Sequence, residues 1–210
     1  MLINILVSGV GGQGLLTLAR LLGQAAIKEG MKAYVAETHG LSQRGGSVVV
    51  HVRIGNDELS APLIPEGEVD IHVSLELIEA VRNISMQQKD SILISNDKII
   101  RPSIPKIVLP SRDDLIRVAN AVKHFYLVNA SEESLNLGNP YGANIVLLGF
   151  TTYILSEGNI ISKDSVRQEV ANIGRGKVRE VNLKLFDVGY EKASKNVRPD
   201  TVEYIRKKKA

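Results

Sequence analysis

The stretch that most limits what this chain can fold into is "GVGGQGLLTLARLL", residues 9–22, a glycine-rich turn set between an apolar run and an apolar helix. The run before it, Leu2 to Val7, is short and almost uninterrupted, the pattern of a strand buried on both faces of a parallel sheet. After the turn, Leu15, Leu18, Leu22, Ala25 and Ala26 recur at helical spacing, Lys28 falls in the last turn, and Gly30 supplies a left-handed stop. A return strand at "KAYVAE" completes a right-handed βαβ unit with the glycine turn at the carboxyl end of its first strand. With 210 residues and 44% hydrophobic content, the chain has material for one domain with a sizeable core.

The rest alternates in the same manner. In "SVVVHVRIG" the residues Val48, Val50, Val52 and Ile54 alternate with Ser47, Val49, His51 and Arg53, the period of a strand with two unlike faces, and "GND" then breaks the run as a hairpin turn would. An antiparallel edge to a mainly parallel sheet is expected there. "VDIHVS", "SILIS" and "KIVLP" read as further strands, "LELIEAVRNI" as a helix, and "SRDDLIRVANAV" as a helix opened by Ser111 and Asp114 with Leu115, Val118, Ala119 and Val122 as its buried stripe. "YGANIVLLGFTTYIL" is apolar nearly all round and is expected inside the domain or against another subunit, with Gly142 and Gly149 on one face for a close helix contact. Two amphipathic helices near 163–173 and 177–195 close a domain spanning 1–196. Residues 197–210 read as a basic, solvated tail.

Composition removes several kinds of chemistry. There is no cysteine, so the chain can carry no disulfide, no thiolate-held iron–sulfur cluster and no cysteine nucleophile. The net charge of +3 is mild and the basic residues are dispersed, which does not favour nucleic acid. No signal-peptide pattern and no membrane-length apolar run is present, so a cytoplasmic protein is the simplest expectation. His39, His51, His72 and His124 are scattered without metal-ligand spacing, so no metal site is expected. The carboxylate pairs, Glu76 and Glu79 among them, read as helix-start or solvent-facing charge.

Two stretches remain as a candidate site. Gly9, Gly11 and Gly14 match G-x-G-x-x-G, with Gly12 and Gln13 between them, and Glu37 stands where a dinucleotide fold places the acid that binds ribose hydroxyls. The same glycines equally serve tight helix-on-strand packing. Leu15 and Leu16 stand where a P-loop needs lysine and a hydroxyl, so a nucleoside triphosphatase is not expected. The second stretch, "ETHGLSQRGGSV", brings Glu37, Thr38, His39, Ser42, Gln43, Arg44, Gly45 and Gly46 to the same edge of the sheet, where an arginine fork beside exposed glycine amides suits a phosphate or carboxylate.

Taken together, "GVGGQGLLTLARLLGQAA", "ETHGLSQRGGSVVVHVRIG" and "NPYGANIVLLG" resemble the gamma-type subunit or domain of the 2-oxoacid:ferredoxin oxidoreductases, over about residues 1–190, and within them the indolepyruvate (aryl-oxoacid) branch. The resemblance implies a three-layer α/β/α, Rossmann-like domain that does not bind nicotinamide. It implies an enzyme that decarboxylates a 2-oxoacid oxidatively with coenzyme A, giving acyl-CoA, carbon dioxide and reduced ferredoxin. Thiamine diphosphate, Mg and the 4Fe-4S clusters are then expected in a companion alpha subunit. This chain would be inactive alone, with no catalytic residue of its own, and residues 9–14 and 37–46 would contact either the companion or coenzyme A. From the residues alone, a stand-alone NAD-dependent oxidoreductase or a regulatory dinucleotide-binding module is the alternative.

Overall fold

In the computed structural model, residues 1–39, 46–56, 61–101 and 107–209 are described, the His39 side chain apart. Strand β1 (Leu2–Val10) leads through the glycine turn into helix α1 (Leu15–Lys28), which ends as its sequence dictates. Gly30 adopts φ 83, its N–H bonds to the Ile27 carbonyl at 3.0 Å, and the Met31 N–H reaches back to Ala26 at 3.0 Å, closing a Schellman cap. Next come β2 (Lys32–His39), β3 (Ser47–Gly55), β4 (Val69–Ser74), α2 (Leu77–Arg82), β5 (Gln87–Asn96), α3 (Arg112–Ala119) and β6 (His124–Val128). Five helices finish the chain: α4 (Ala130–Asn136), α5 (Ala143–Glu157), α6 (Lys163–Ala171), α7 (Lys177–Asn196) and α8 (Pro199–Lys209).

The six strands lie in the order β2-β3-β1-β4-β5-β6. Strands β1, β4, β5 and β6 pair in parallel, whereas β3 runs antiparallel to both β1 and β2. The antiparallel hairpin at the edge is therefore β2–β3, joined through residues 40–46. Of the expected turn at "GND", Gly55 ends β3, whose two sides are already taken by β1 and β2, and Asp57 lies outside the described residues. Helices cover both faces. Ile3, Ile5 and Val7 of β1, with Val48, Val50, Val52 and Ile54 of β3, pack into one large core with α1, α5, α6 and α7. On the opposite face Leu93 packs with Ala80 of α2 and Ala119 of α3.

Helix α5 lies inside this chain, against the sheet and α7, which settles its place as core. A Cβ on Gly149 would collide with the Phe186 carbonyl of α7, and one on Gly189 with the Val146 carbonyl of α5. The two helices thus touch through backbone at two glycines, a closeness that outweighs glycine's helix cost. Some expectations differ. Residues 107–110 of "KIVLP" are not a strand, and β6 at "HFYLV" takes the place beside β5 instead, paired from Ile92↔His124 to Asn96↔Val128. Val118 is exposed because α3 is only two turns long and buries Leu115 and Ala119 alone. Residues 199–209, expected within a basic tail, form α8, which folds back over the amino ends of β4, β5 and β6. There Tyr204 donates to Asp70 at 3.0 Å, Lys208 pairs with Asp70 at 2.8 Å, and Thr201 sits 2.9 Å from His124 Nδ1.

The face of β4 opposite the large core is polar yet buried. The Gln87 amide donates to His72 Nδ1 (2.8 Å), His72 Nε2 donates to Ser8 (2.7 Å), Ser8 to Ser74 (2.9 Å), and Ser74 to the Glu76 carbonyl (2.7 Å). Ser91 donates to the other Gln87 amide atom at 3.1 Å, which orients that amide. The one-way chain requires a neutral imidazole, and burial holds the His72 pKa down at about 3. No helix of the described residues is long and apolar enough to cross a membrane.

Two outcomes follow from this packing. A histidine depressed from 6.5 takes up its proton only on unfolding, so its contribution is intact above pH 6.5 and is eroded as pH falls toward about 3. By pH 5 the His72 contribution to that loss should be about 2 kcal/mol, and His72→Gln, measured by urea melts across pH 7 to 5, should show a flatter slope than the unaltered chain. Gly189→Ala should cost about 3 kcal/mol or more in the same melts, because its methyl group meets backbone that cannot rotate away.

Candidate functional site

The carboxyl ends of β1, β4 and β5 meet at one carbonyl, that of Leu75. It accepts the Gln13 side-chain amide at 3.0 Å and the Asn96 amide at 3.1 Å. Gln13 turns its oxygen back on its own turn, accepting the Val10 N–H at 2.7 Å, while Asn96 accepts the Ser131 N–H of α4 at 3.1 Å. A Cβ on Gly9 would stand 2.7 Å from the Gln13 oxygen and push that side chain off the turn it bridges. Gly14 has φ 81, caps α1 through its backbone, and offers its carbonyl to Asn144 at 3.1 Å. Gly12, at φ 100, faces open space at the crest of the turn.

The second stretch is tied to the first. The Gly11 N–H donates to the Gly46 carbonyl at 2.9 Å, and Ser47, next in the chain, donates to Glu79 at 2.5 Å. Gly9, Gly11, Gly12, Gln13, Gly14 and Gly46 therefore stand together at the carboxyl edge. Ser42, Gln43, Arg44 and Gly45 lie outside the described residues. Glu37 and Thr38 are exposed on β2.

The position of Glu37 bears directly on dinucleotide binding. Strand β3 lies between β2 and β1, so Glu37 pairs with Val50 and not with β1. Two inter-strand steps, about 10 Å, separate its strand from the one that feeds the glycine turn. In a dinucleotide fold the acid-bearing strand is the immediate neighbour of the glycine strand. The fingerprint spacing is present here, but the strand order that gives it meaning is not.

Four residues that sequence reading did not assign to the site organise it. Asn144 lies in "NPYGAN", close to the glycines in space and far from them in sequence, and Asn96 ends a buried strand where a polar side chain is the only signal. Glu76 and Glu79, read as helix-start or solvent-facing charge, are both buried. Glu76 caps α2 by accepting the Glu79 N–H at 2.8 Å, and its other oxygen accepts the Ile100 N–H at 3.0 Å. Burial raises its pKa, with those two N–H groups opposing the rise. Among the described residues no three His, Cys, Asp or Glu side chains are grouped to hold a metal ion. What the edge offers is a set of hydrogen-bonded turns whose polar side chains are largely spent on each other.

Replacing Gln13 by leucine removes two of these bonds and leaves the Val10 N–H without its partner. A loss of about 2 kcal/mol in thermal or urea unfolding is expected, the cost of an unsatisfied, partly buried donor.

The comparisons with known proteins agree with this geometry. The family profile described as pyruvate ferredoxin/flavodoxin oxidoreductase matches residues 4–192. A protein of Archaeoglobus fulgidus named indolepyruvate oxidoreductase subunit IorB is 38% identical over 208 residues, covering 96% of this chain and 100% of that protein. Its namesake from Pyrococcus horikoshii is 37% identical over 195 residues, covering 90% of this chain and 95% of that protein. Among solved structures, the gamma subunit of a keto/oxoacid ferredoxin oxidoreductase from Geobacter sulfurreducens has the same fold, with a TM-score of 0.68 at 22% identity over 92% of this chain and 99% of that one. A 2-oxoglutarate:ferredoxin oxidoreductase from Magnetococcus marinus, solved with 2-oxoglutarate, coenzyme A and succinyl-CoA bound, matches with a TM-score of 0.69 at 16% identity over 92% of this chain and 31% of that one. Glycine turn, strand order and relatives agree: this chain belongs to the pyruvate ferredoxin/flavodoxin oxidoreductase family, as a subunit of a 2-oxoacid:ferredoxin oxidoreductase.

Proposed function

We propose that this chain is the cofactor-free, beta-type subunit of an indolepyruvate:ferredoxin oxidoreductase working in the cytoplasm. The assembled enzyme decarboxylates the 2-oxoacid oxidatively with coenzyme A and passes two electrons to ferredoxin. The observation that carries the substrate reading is the pair of indolepyruvate subunit relatives at 38% and 37% identity, matched over 100% and 95% of their own lengths. A chain without cysteine cannot ligate a thiolate-held iron–sulfur cluster, so the clusters belong to a companion subunit, and the family resemblance assigns thiamine diphosphate and Mg to that subunit as well. Thiamine diphosphate would supply the carbanion-stabilising chemistry there.

This chain's part is to shape and close the companion's site. The hydrogen-bonded turns at its carboxyl edge form a preorganised surface suited to excluding water from a reactive intermediate. Arg44, between Gln43 and Gly45, supplies a cation for the phosphates of coenzyme A, with neighbouring glycine amides as further donors. The coenzyme A bound in the Magnetococcus enzyme supports the coenzyme half of this reading. The displaced Glu37 argues against the NAD-dependent alternative.

Co-expression with the companion should give indolepyruvate- and coenzyme A-dependent reduction of a viologen dye, and either chain alone should give none. Activity of this chain alone, or saturable binding of NADH followed by its fluorescence, would count against the reading. Arg44→Ala in the complex should raise the KM for coenzyme A by about tenfold, the loss of one charge-assisted phosphate contact, and leave the KM for indolepyruvate unchanged.

A further inference from the structure

The glycine turn and the start of β3 meet through the Gly11 N–H, which donates to the Gly46 carbonyl at 2.9 Å. Where Gly46 stands depends on its neighbour Ser47, whose hydroxyl donates to Glu79 of α2 at 2.5 Å. In the sheet β1 lies between β3 and β4, so this bond passes over β1 and ties the start of β3 to the helix that follows β4. The other Glu79 oxygen faces Arg82 Nε at 3.4 Å.

Neither the helix nor the sheet needs that carboxylate. Helix α2 is fixed by other groups: the Leu77 N–H donates to the Lys98 carbonyl at 2.8 Å, the Glu76 side chain accepts the Glu79 and Ile100 N–H groups, and the Asn83 amide donates to the Glu79 carbonyl at 2.9 Å. The register of β3 is already set along its length by β1 and β2. Yet the Glu79 side chain is only 5% exposed, against 58% for Arg82. A carboxylate so enclosed loses hydration that one hydroxyl and one half-exposed guanidinium replace only in part. An apolar side chain would suit helix packing better, as Ala80 shows against Leu93 and Ala119. The charge therefore answers a need outside α2, and the residue it reaches is the one that places Gly46.

We infer that Glu79 is a positioning residue for coenzyme A. Through Ser47 it holds the Gly46 carbonyl on the Gly11 N–H and so joins the glycine turn and the start of β3 into one surface. A hydroxyl bonded to a carboxylate makes a short, charge-assisted contact that resists displacement. A surface already held in place loses less freedom when a phosphate-bearing ligand arrives. The inference rests on the coenzyme A reading above and adds to it a residue that touches no ligand.

The test uses the complex with the companion subunit. Ser47→Ala and Glu79→Ala should each raise the KM for coenzyme A by about fivefold and leave the KM for indolepyruvate unchanged. The double variant should be no worse than either single one, because both remove the same bond. Ser47→Thr keeps the hydroxyl and should hold the KM within about twofold of the unaltered complex. Hydrogen exchange in the full chain gives a readout independent of turnover: the Gly11 N–H should exchange about tenfold faster in Ser47→Ala, and the Leu93 N–H inside β5 at an unchanged rate. Ser47 is partly exposed, so Ser47→Ala decides the matter where Glu79→Ala does not fold. If Arg44→Ala raises the KM for coenzyme A while Ser47→Ala and Glu79→Ala leave it within about twofold, the positioning role is overturned and the coenzyme A reading stands. Effects on both substrates, additive effects in the double variant, or faster exchange throughout the chain make the bond purely structural and equally overturn the inference. If neither Arg44→Ala nor these variants alter the KM for coenzyme A, the coenzyme A reading falls and the inference with it.

Discussion

The nine-residue antiparallel register between β1 and β3, from Leu2↔Gly55 to Val10↔Ser47, governs most of what lies at the carboxyl edge. Because β3 ends its pairing opposite Val10, Gly46 arrives beside the glycine turn and its carbonyl takes the Gly11 N–H. The same insertion displaces β2 to the edge of the sheet and carries Glu37 away from the turn. One strand placed between two others thus abolishes the geometry of a dinucleotide site while preserving its sequence fingerprint. It also brings Gly46 up to the glycines.

Two sets of interior polar groups are satisfied in the same way. On the second face of the sheet, Gln87, His72, Ser8 and Ser74 form a one-way chain in which each donor has an acceptor, and burial keeps the imidazole neutral. At the carboxyl edge Gln13, Asn96, Asn144, Glu76 and Glu79 bind main-chain groups or neighbouring side chains of adjoining turns. Satisfied networks of this kind hold loops rigid without offering reactive groups. A chain with such an edge is well suited to being a wall of someone else's active site.

Much of this was legible in the residues. The β1-turn-α1 unit, the Gly30 stop, the Ser111 cap, the all-round apolar character of α5 and the pairing of two motifs that carries the family resemblance were all readable. Each depends on contacts within a few residues or on a period along one element. What escaped reading depends on partners distant in sequence. β6 is a short "HFYLV" with no turn residues to announce it, and "KIVLP" looks equally strand-like, so only the vacancy beside β5 chooses between them. The burial of Glu76 and Glu79 follows from where α2 lands on the sheet. The docking of α8 turns on Asp70, more than a hundred residues earlier.

The sequence by itself determined the chemistry this protein cannot perform, since absent cysteines cannot be restored by folding, and it determined the local shapes that glycine and apolar periodicity impose. Only the tertiary structure decided strand order, and with it that the glycine turn faces Gly46 and Asn144 while Glu37 stands on a strand two positions away. The reason is physical: backbone conformation and helical period are set by neighbours along the chain, whereas strand adjacency is set by which faces can be buried together, a competition among all the strands at once.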